Sequence, residues 1–193
     1  MLPIPRSFYE RNTVDVAHDL IGKVMVRVIN GHLLSGMIVE AEAYQSGDEA
    51  CHAYDKKTKR NQVLFGQPGH LYIYTIHKQF CVNIVSHDAD TKAGGVLIRA
   101  LEPLQGIAYM QENRPHVPLH NLTSGPGKLC QALQITTALY GHDVTELGPL
   151  YIVENEETLQ RSVIASKRIG ISKAQDKLWR FYLKANRFVS RKK

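Results

Sequence analysis

At 193 residues, 44% of them hydrophobic and 22% charged, the chain has the length and composition of one globular domain that buries a core without disulfide staples. A formal net charge of +6, from 24 Lys+Arg against 18 Asp+Glu, favours polyanionic partners, of which nucleic acid is the commonest. Cys51, Cys81 and Cys130 form no C-x-x-C pair, which argues against zinc-ribbon, iron–sulfur and disulfide frameworks. The start has no apolar signal core and no run nears the ~18 apolar residues of a membrane span, so a reducing, intracellular setting away from membranes is expected.

In chain order, Thr13 is predicted to cap a short helix ending near Leu20 and Ile21, with Val14, Ala17 and Ile21 on one face and Gly22 as the stop. Lys23–Ile29 reads as a strand and Asn30-Gly31 as a two-residue hairpin turn. The returning strand carries Met37-Ile38-Val39-Glu40-Ala41-Glu42-Ala43-Tyr44. Strict alternation puts Met37, Val39, Ala41 and Ala43 on one face and Ile38, Glu40, Glu42 and Tyr44 on the other. Two carboxylates then share a face beside an aromatic ring. Each raises the cost of ionising the other, so one could be poised as a base at a partly dry site. Taken alone, the octapeptide reads more plainly as a solvated strand face.

From Gln45 to Gln67 the pattern becomes polar and irregular, a loop with His52 and the cluster Lys56, Lys57, Lys59 and Arg60. His70–Ile76 alternates again, with Tyr72 and Tyr74 on one face; a same-face pair of this kind is more often cross-strand packing than a base platform. Phe80–Val85 forms the next strand, after a His77-Lys78-Gln79 tip. Val96–Ala100 follows, and Arg99 inside that apolar run needs a partner if it is buried. Leu104–Gln111 is predicted helical and Arg114–Leu122 a loop, in which His116 and His120 lack a third metal ligand. Ser124-Gly125-Pro126-Gly127-Lys128 opens a helix over Leu129–Leu133; its free amides and Lys128 could hold a phosphate, although it is not a nucleotide P-loop. Strands are expected near Leu150–Val153, Ser162–Ile171 and Trp179–Leu183, before a basic Arg191-Lys192-Lys193 end. No repeat or linker divides residues 1–193. The expected fold is α+β: a single domain around a strongly curved, mainly antiparallel sheet with peripheral helices.

Several segments in register resemble one family. They are DLIGK (Asp19–Lys23), IVEAEAY (Ile38–Tyr44), the His52 loop, RNQVLFGQPGHLYIY (Arg60–Tyr74), VLIRALEP (Val96–Pro103), SGPGKLCQAL (Ser124–Leu133) and RIGISKA…WRFYL (Arg168–Leu183). Together they resemble the monomeric, metal-free alkyladenine (3-methyladenine) DNA glycosylases, from about Asp19 to the end. The resemblance implies base excision repair with no cofactor: a damaged purine is flipped out of double-stranded DNA and its N-glycosidic bond hydrolysed, leaving an abasic site. It places Glu42 on the general base and Arg99 on the arginine that helps hold the attacking water. Tyr44 and Tyr74 fall on the aromatic walls of the base pocket, His52 on its histidine and Asn83 on an asparagine that screens bases. The loop before His52 is one residue shorter than the family's. The hairpin tip departs too: the family has a Tyr-Gly-containing tip whose tyrosine fills the gap left by the flipped nucleotide. Here His77 is the nearest intercalating candidate, and Lys78, with Arg60 and Lys128, is a candidate contact to the DNA backbone.

The residue types suit that chemistry. The transition state of N-glycosidic cleavage has oxocarbenium character, which a carboxylate beside the sugar stabilises. The same carboxylate can take the proton of an attacking water. Tyrosine and imidazole rings attract a cationic alkylated base by roughly 0.5–2 kcal/mol per good contact, and flipping costs least for bases that pair badly. The reading requires the Glu42 carboxylate within one water of an everted deoxyribose, so a carboxylate sealed in the interior, or facing away from the tyrosine-lined cavity, would bring it down. A non-enzymatic binder of damaged DNA on the same scaffold is the alternative, and a hydrolase of nucleosides or RNA a third reading.

Overall fold

The computed structural model describes residues 1–155 and 162–190. Two short helices, α1 (Arg6–Tyr9) and α2 (Thr13–Asp19), precede the hairpin β1 (Val24–Ile29) and β2 (His32–Gln45). A second hairpin, β3 (Leu71–Ile76) and β4 (Gln79–Val85), leads to the long β5 (Gly94–Gln105). Helices α3 (Ile107–Asn113) and α4 (Pro126–Ala132) follow, then β6 (Leu150–Val153), β7 (Val163–Ser166) and β8 (Arg180–Leu183). The strands form one antiparallel sheet ordered β3-β4-β5-β2-β1-β6, with β8 joining β2 to β7. This is the α+β architecture expected from the sequence.

The spine is β2. Along one edge it pairs with β5, and the other edge is divided between β1, over His32–Met37, and β8, over Glu40–Glu42. Two strands leaving one edge in succession curl the sheet into a half-barrel. The curl is helped by paired irregularities. Val39 is an extra residue on β2 between the Ile38↔Leu101 and Glu40↔Ala100 pairs, and Arg99 an extra residue on β5 between Glu40↔Ala100 and Ala41↔Ile98. These bulges correct the strict alternation. Ile38 lies in the main core with Ala41 and Ala43, while Met37 and Val39 pack in a separate cluster with Ala100, Leu183 and Phe188. Beyond the bulge Glu40, Glu42 and Tyr44 do share a side, as their mutual hydrogen-bond partners show.

Both hairpin turns behave as their residues dictate. Asn30 and Gly31 have φ of 50° and 75°, and His77 and Lys78 have 47° and 63°, the left-handed pair of a two-residue turn. Gln79 is therefore the first residue of β4 rather than part of the tip.

Other boundaries moved for local reasons. Asn12, not Thr13, caps α2, its side chain accepting from Val14 N at 3.0 Å. The Thr13 hydroxyl instead donates to Ser86 O at 2.6 Å and ties the helix to the end of β4. Leu104 and Gln105 remain in β5, because Pro103 sits opposite Gly36 at a register shift where its missing N–H is tolerated. Helix α3 starts only after Gly106, at φ 73°. The strand expected over Ser162–Ile171 stops at Ser166, and the chain then leaves the sheet. Residues Arg191-Lys192-Lys193 lie outside the described residues. No helix among the described residues is long and apolar enough to cross a membrane.

Candidate active site

A cavity of about 420 Å³, within the range of small-molecule sites, opens between β3–β5, the Glu49–His52 loop and the Ile169–Lys173 segment. Alternation along β3 aims Tyr72, Tyr74 and Ile76 into it. The Tyr72 and Tyr74 rings stack at 5.6 Å and 29°, and the His52 ring meets them edge-on at 5.9 and 4.7 Å. His52 Nδ1 is 2.8 Å from the Tyr72 hydroxyl. His52 and Tyr74 thus form one continuous wall. Tyr44 also lines the cavity and packs against the same apolar cluster, with no ring contact to Tyr72, Tyr74 or His52 among the described residues.

The His52 imidazole is exposed on one side, yet its packing against the rings, followed by the nearby Arg60 guanidinium, holds its pKa below the ordinary 6.5. Burial pushes the Tyr72 phenol up to about 12 and the Tyr44 and Tyr74 phenols also up, so all three stay protonated donors at neutral pH.

The two carboxylates of β2 lie directly behind this cavity, and both are fully buried. Glu42 accepts from Arg99 Nη1 at 3.0 Å and from the Tyr44 hydroxyl at 2.8 Å on Oε2, and from Ile169 N at 2.7 Å on Oε1. Tyr44, Arg99 and Ile169 all line the cavity; Glu42 itself does not. The carboxylate is therefore sealed from solvent, the arrangement that counts against the sequence reading, but it faces the tyrosine-lined cavity and only its own hydrogen-bond donors separate it from the open space. Arg99 Nε reaches Glu40 Oε1 at 3.1 Å, so one guanidinium is shared between both carboxylates. Burial pulls the Arg99 pKa down, but Glu42 and Glu40 outweigh it and hold it above the ordinary value. The expectation that Arg99 needs a partner is met by two.

The Glu49–His52 loop is held at both ends. Asp48, fully buried, takes a fork from Arg168, with Nη2 to Oδ1 at 2.9 Å and Nη1 to Oδ2. Arg168 also donates to Ala43 O at 2.8 Å and lies 4.6 Å from the Tyr44 ring centroid and 5.2 Å from that of Trp179. Asn61, buried, donates to His52 O and Lys56 O at 2.7 and 3.0 Å while accepting from Thr58 N at 2.6 Å. One arginine thus fixes Tyr44, the His52 loop and, through the adjacent Ile169, the Glu42 carboxylate.

Of the remaining sequence candidates, Asn83 lines the cavity and is buried, its Nδ2 donating across the hairpin to Tyr72 O at 3.1 Å. Arg60 is exposed and lies 5.8 Å from the Tyr74 ring centroid, beside the aromatic wall. His77 and Lys78 are exposed at the hairpin tip, next to Ile76 at the cavity mouth. Lys128 is half-buried, with its Nζ on Asn121 Oδ1 rather than extended into solvent. Sequence reasoning did not single out Asp48, Arg168, Ile169 or Glu40's own partners. Tyr72 was visible through its parity with Tyr74; the others meet only through contacts far apart in the chain. Among the described residues no group of three His, Cys, Asp or Glu side chains is arranged to hold a metal.

Comparison with known proteins gives a consistent picture. Residues 7–187 match the family described as Methylpurine-DNA glycosylase. A protein of Carboxydothermus hydrogenoformans, provisionally named 3-methyladenine DNA glycosylase, is 48% identical over 190 residues, covering 98% of this chain and 99% of that protein. Proteins with the same provisional name from Clostridium perfringens and Methanocella arvoryzae are each 44% identical, over 203 and 195 residues; they cover 97% and 98% of this chain and 98% and 96% of their own lengths.

Proposed function

The chain belongs to the methylpurine-DNA glycosylase family, and from that premise we propose that it acts as a monomer on double-stranded DNA, everts alkylated or deaminated purines and hydrolyses their N-glycosidic bond without a cofactor. The flipped base stacks between Tyr44 on one side and the Tyr74–His52 wall on the other, with Asn83 at its edge. A neutral imidazole and protonated phenols offer electron-rich faces to a cationic base without opposing its charge. His77 fills the gap in the duplex, while Lys78, Arg60 and Lys128 contribute phosphate affinity that falls as salt rises.

The observation that carries the chemistry is the position of Glu42, one hydrogen bond behind three cavity-lining groups, Tyr44, Arg99 and Ile169. Its negative charge stabilises the developing oxocarbenium ion through a dry wall. Its Oε1 accepts from one described donor only, which leaves a lone pair for a water admitted beside Ile169. Arg99 steers that water, since its Nη2 has no acceptor among the described residues. Glu42 takes the water's proton as oxygen attacks the anomeric carbon and the purine leaves with the bonding electrons. The product is an abasic site and a free base, with no lyase step.

Duplexes with one defined lesion each, scored for alkali-labile sites, test this reading. Glu42→Gln is expected to lower base release by roughly 10²–10⁴-fold, the worth of a placed base, while binding the same duplex. Undiminished turnover would remove Glu42 from the role. The full burial of Glu42 and the short His77 tip favour a second reading, a damaged-DNA binder without activity; wild-type binding with no base release from any alkylated or deaminated purine would establish it.

A further inference from the structure

Glu40 neither lines the cavity nor meets solvent, yet it is the most heavily bonded carboxylate near the site. Oε1 accepts from Arg180 Nε at 2.6 Å, Ser190 Oγ at 2.9 Å and Arg99 Nε at 3.1 Å. Oε2 accepts from Ser190 N at 2.6 Å. Arg180, on β8, also reaches Ser166 Oγ at 3.1 Å. Glu40, next to the bulge of β2, and through it the bulged Arg99 of β5 are thereby clasped by the first residue of β8 and by a segment 150 positions further along the chain.

The consequence falls on Arg99. A free guanidinium beside Glu42 would turn its fork squarely onto that carboxylate, the favoured bidentate geometry. Glu40 takes Nε, which closes the side-on fork, and Ile169 N occupies Glu42 Oε1; Glu42 meets the guanidinium through Nη1 alone, and Nη2 has no acceptor among the described residues. Two arginines and two glutamates also balance in charge, so burial of the four groups leaves no net charge to compensate.

We infer that Glu40, held by Arg180 and Ser190, is the positioning residue that aims Arg99, keeping Glu42 singly bonded to the guanidinium and Nη2 turned to the cavity. The inference deepens the proposed glycosylase reading and rests on it. Glu40 acts through Arg99 and touches neither substrate nor water.

The test is a double-mutant cycle on single-turnover base release, with duplex binding and thermal midpoint measured in parallel. Glu40→Gln keeps the shape but weakens the hold on Nε; it is expected to slow release about tenfold or more, with lesion-duplex affinity within about twofold of wild type. Arg99→Lys has no fork to aim, so adding Glu40→Gln to it is expected to change release little further. Ser190→Ala, which removes one bond from Glu40 and spares the fold if Glu40→Gln does not fold, is expected to slow release several-fold in the wild-type background and not in Arg99→Lys. Independent, multiplicative losses in both backgrounds, or full activity of Glu40→Gln and Ser190→Ala, would overturn the inference. If wild type itself releases no base, the glycosylase reading fails instead, and the two failures are distinguishable.

Discussion

Replacing Asp48 by Asn should be a costly change despite its conservative shape. Both Asp48 and Arg168 have side chains with no exposed surface, and the Arg168 fork places one nitrogen on each carboxylate oxygen. Lys177 Nζ stands 3.8 Å from Oδ1 as a second cation. An amide keeps one acceptor but turns N–H donors toward a guanidinium nitrogen, leaving two cations beside a neutral group. Breaking a buried pair from one side costs about 3–5 kcal/mol. In a chain of this size each kcal/mol lowers the thermal midpoint by roughly 2–4 °C, so Asp48→Asn should melt roughly 6–20 °C below wild type. Urea denaturation at neutral pH provides the free energy, and base release at 25 °C reports the site. Activity should fall even among folded molecules, because Arg168 also backs Tyr44 and precedes Ile169. Combining Asp48→Asn with Arg168→Met should recover part of the stability, since the unpaired charge is then gone, but not the activity. A midpoint within about 2 °C of wild type would refute the claim that this pair holds the site together.

Two further expectations concern the walls. The His52 ring should titrate below 6.5 in the ring-proton NMR spectrum, and Arg60→Ala should move it upward only in part, because packing is the larger cause. Below 6.5 the unfolded chain binds a proton that the folded ring resists, so this residue makes stability fall as pH drops, and the same protonation should weaken capture of cationic bases. A His52 titrating at or above 6.5 would contradict the packing. Gly94→Ala would set a Cβ 2.8 Å from Ser86 O and 2.9 Å from Tyr44 O, both backbone atoms. Overpacking of this kind costs roughly 1–3 kcal/mol, and an unchanged urea midpoint would show that β5 and β2 can part there freely.

The sequence made the local rules legible. Asn30-Gly31 announced its turn, and the alternation in His70–Ile76 announced which tyrosines share a face. The lone charge in Val96–Ala100 announced that Arg99 would be paired. Single-residue insertions were not legible, since a bulge has no composition of its own here; Val39 and Arg99 shift the pairing register by one and then restore it, while each strand's own alternation stays displaced. The same limit hid the clasp on Glu40, whose partners Arg180 and Ser190 are brought in by the pairing of β8 with β2. Arg168–Ile171 was expected to continue the strand that begins at Ser162. What pulls it away from the sheet is the Arg168–Asp48 pair, a contact across 120 positions. The site was readable where neighbours in sequence are neighbours in space, and unreadable where the half-barrel supplies the neighbour.

The seal over Glu42 bears on which of its two proposed duties comes first. A carboxylate in solvent would stabilise an oxocarbenium ion weakly, because water screens it; behind a wall of Tyr44, Arg99 and Ile169 the same charge acts through a lower dielectric, less the part that the paired Arg99 guanidinium offsets. Field stabilisation therefore needs no rearrangement. Proton abstraction does, because a water must reach Oε1 past Ile169. An alkylated purine already carries positive charge and departs readily, so its loss can run far on the field alone, with water arriving late. A neutral base such as hypoxanthine leaves less readily and depends more on groups that act at the leaving base. On the proposed mechanism, the same buried glutamate would ask less of the water's timing when the lesion is cationic, a consequence of its depth and not only of the aromatic walls.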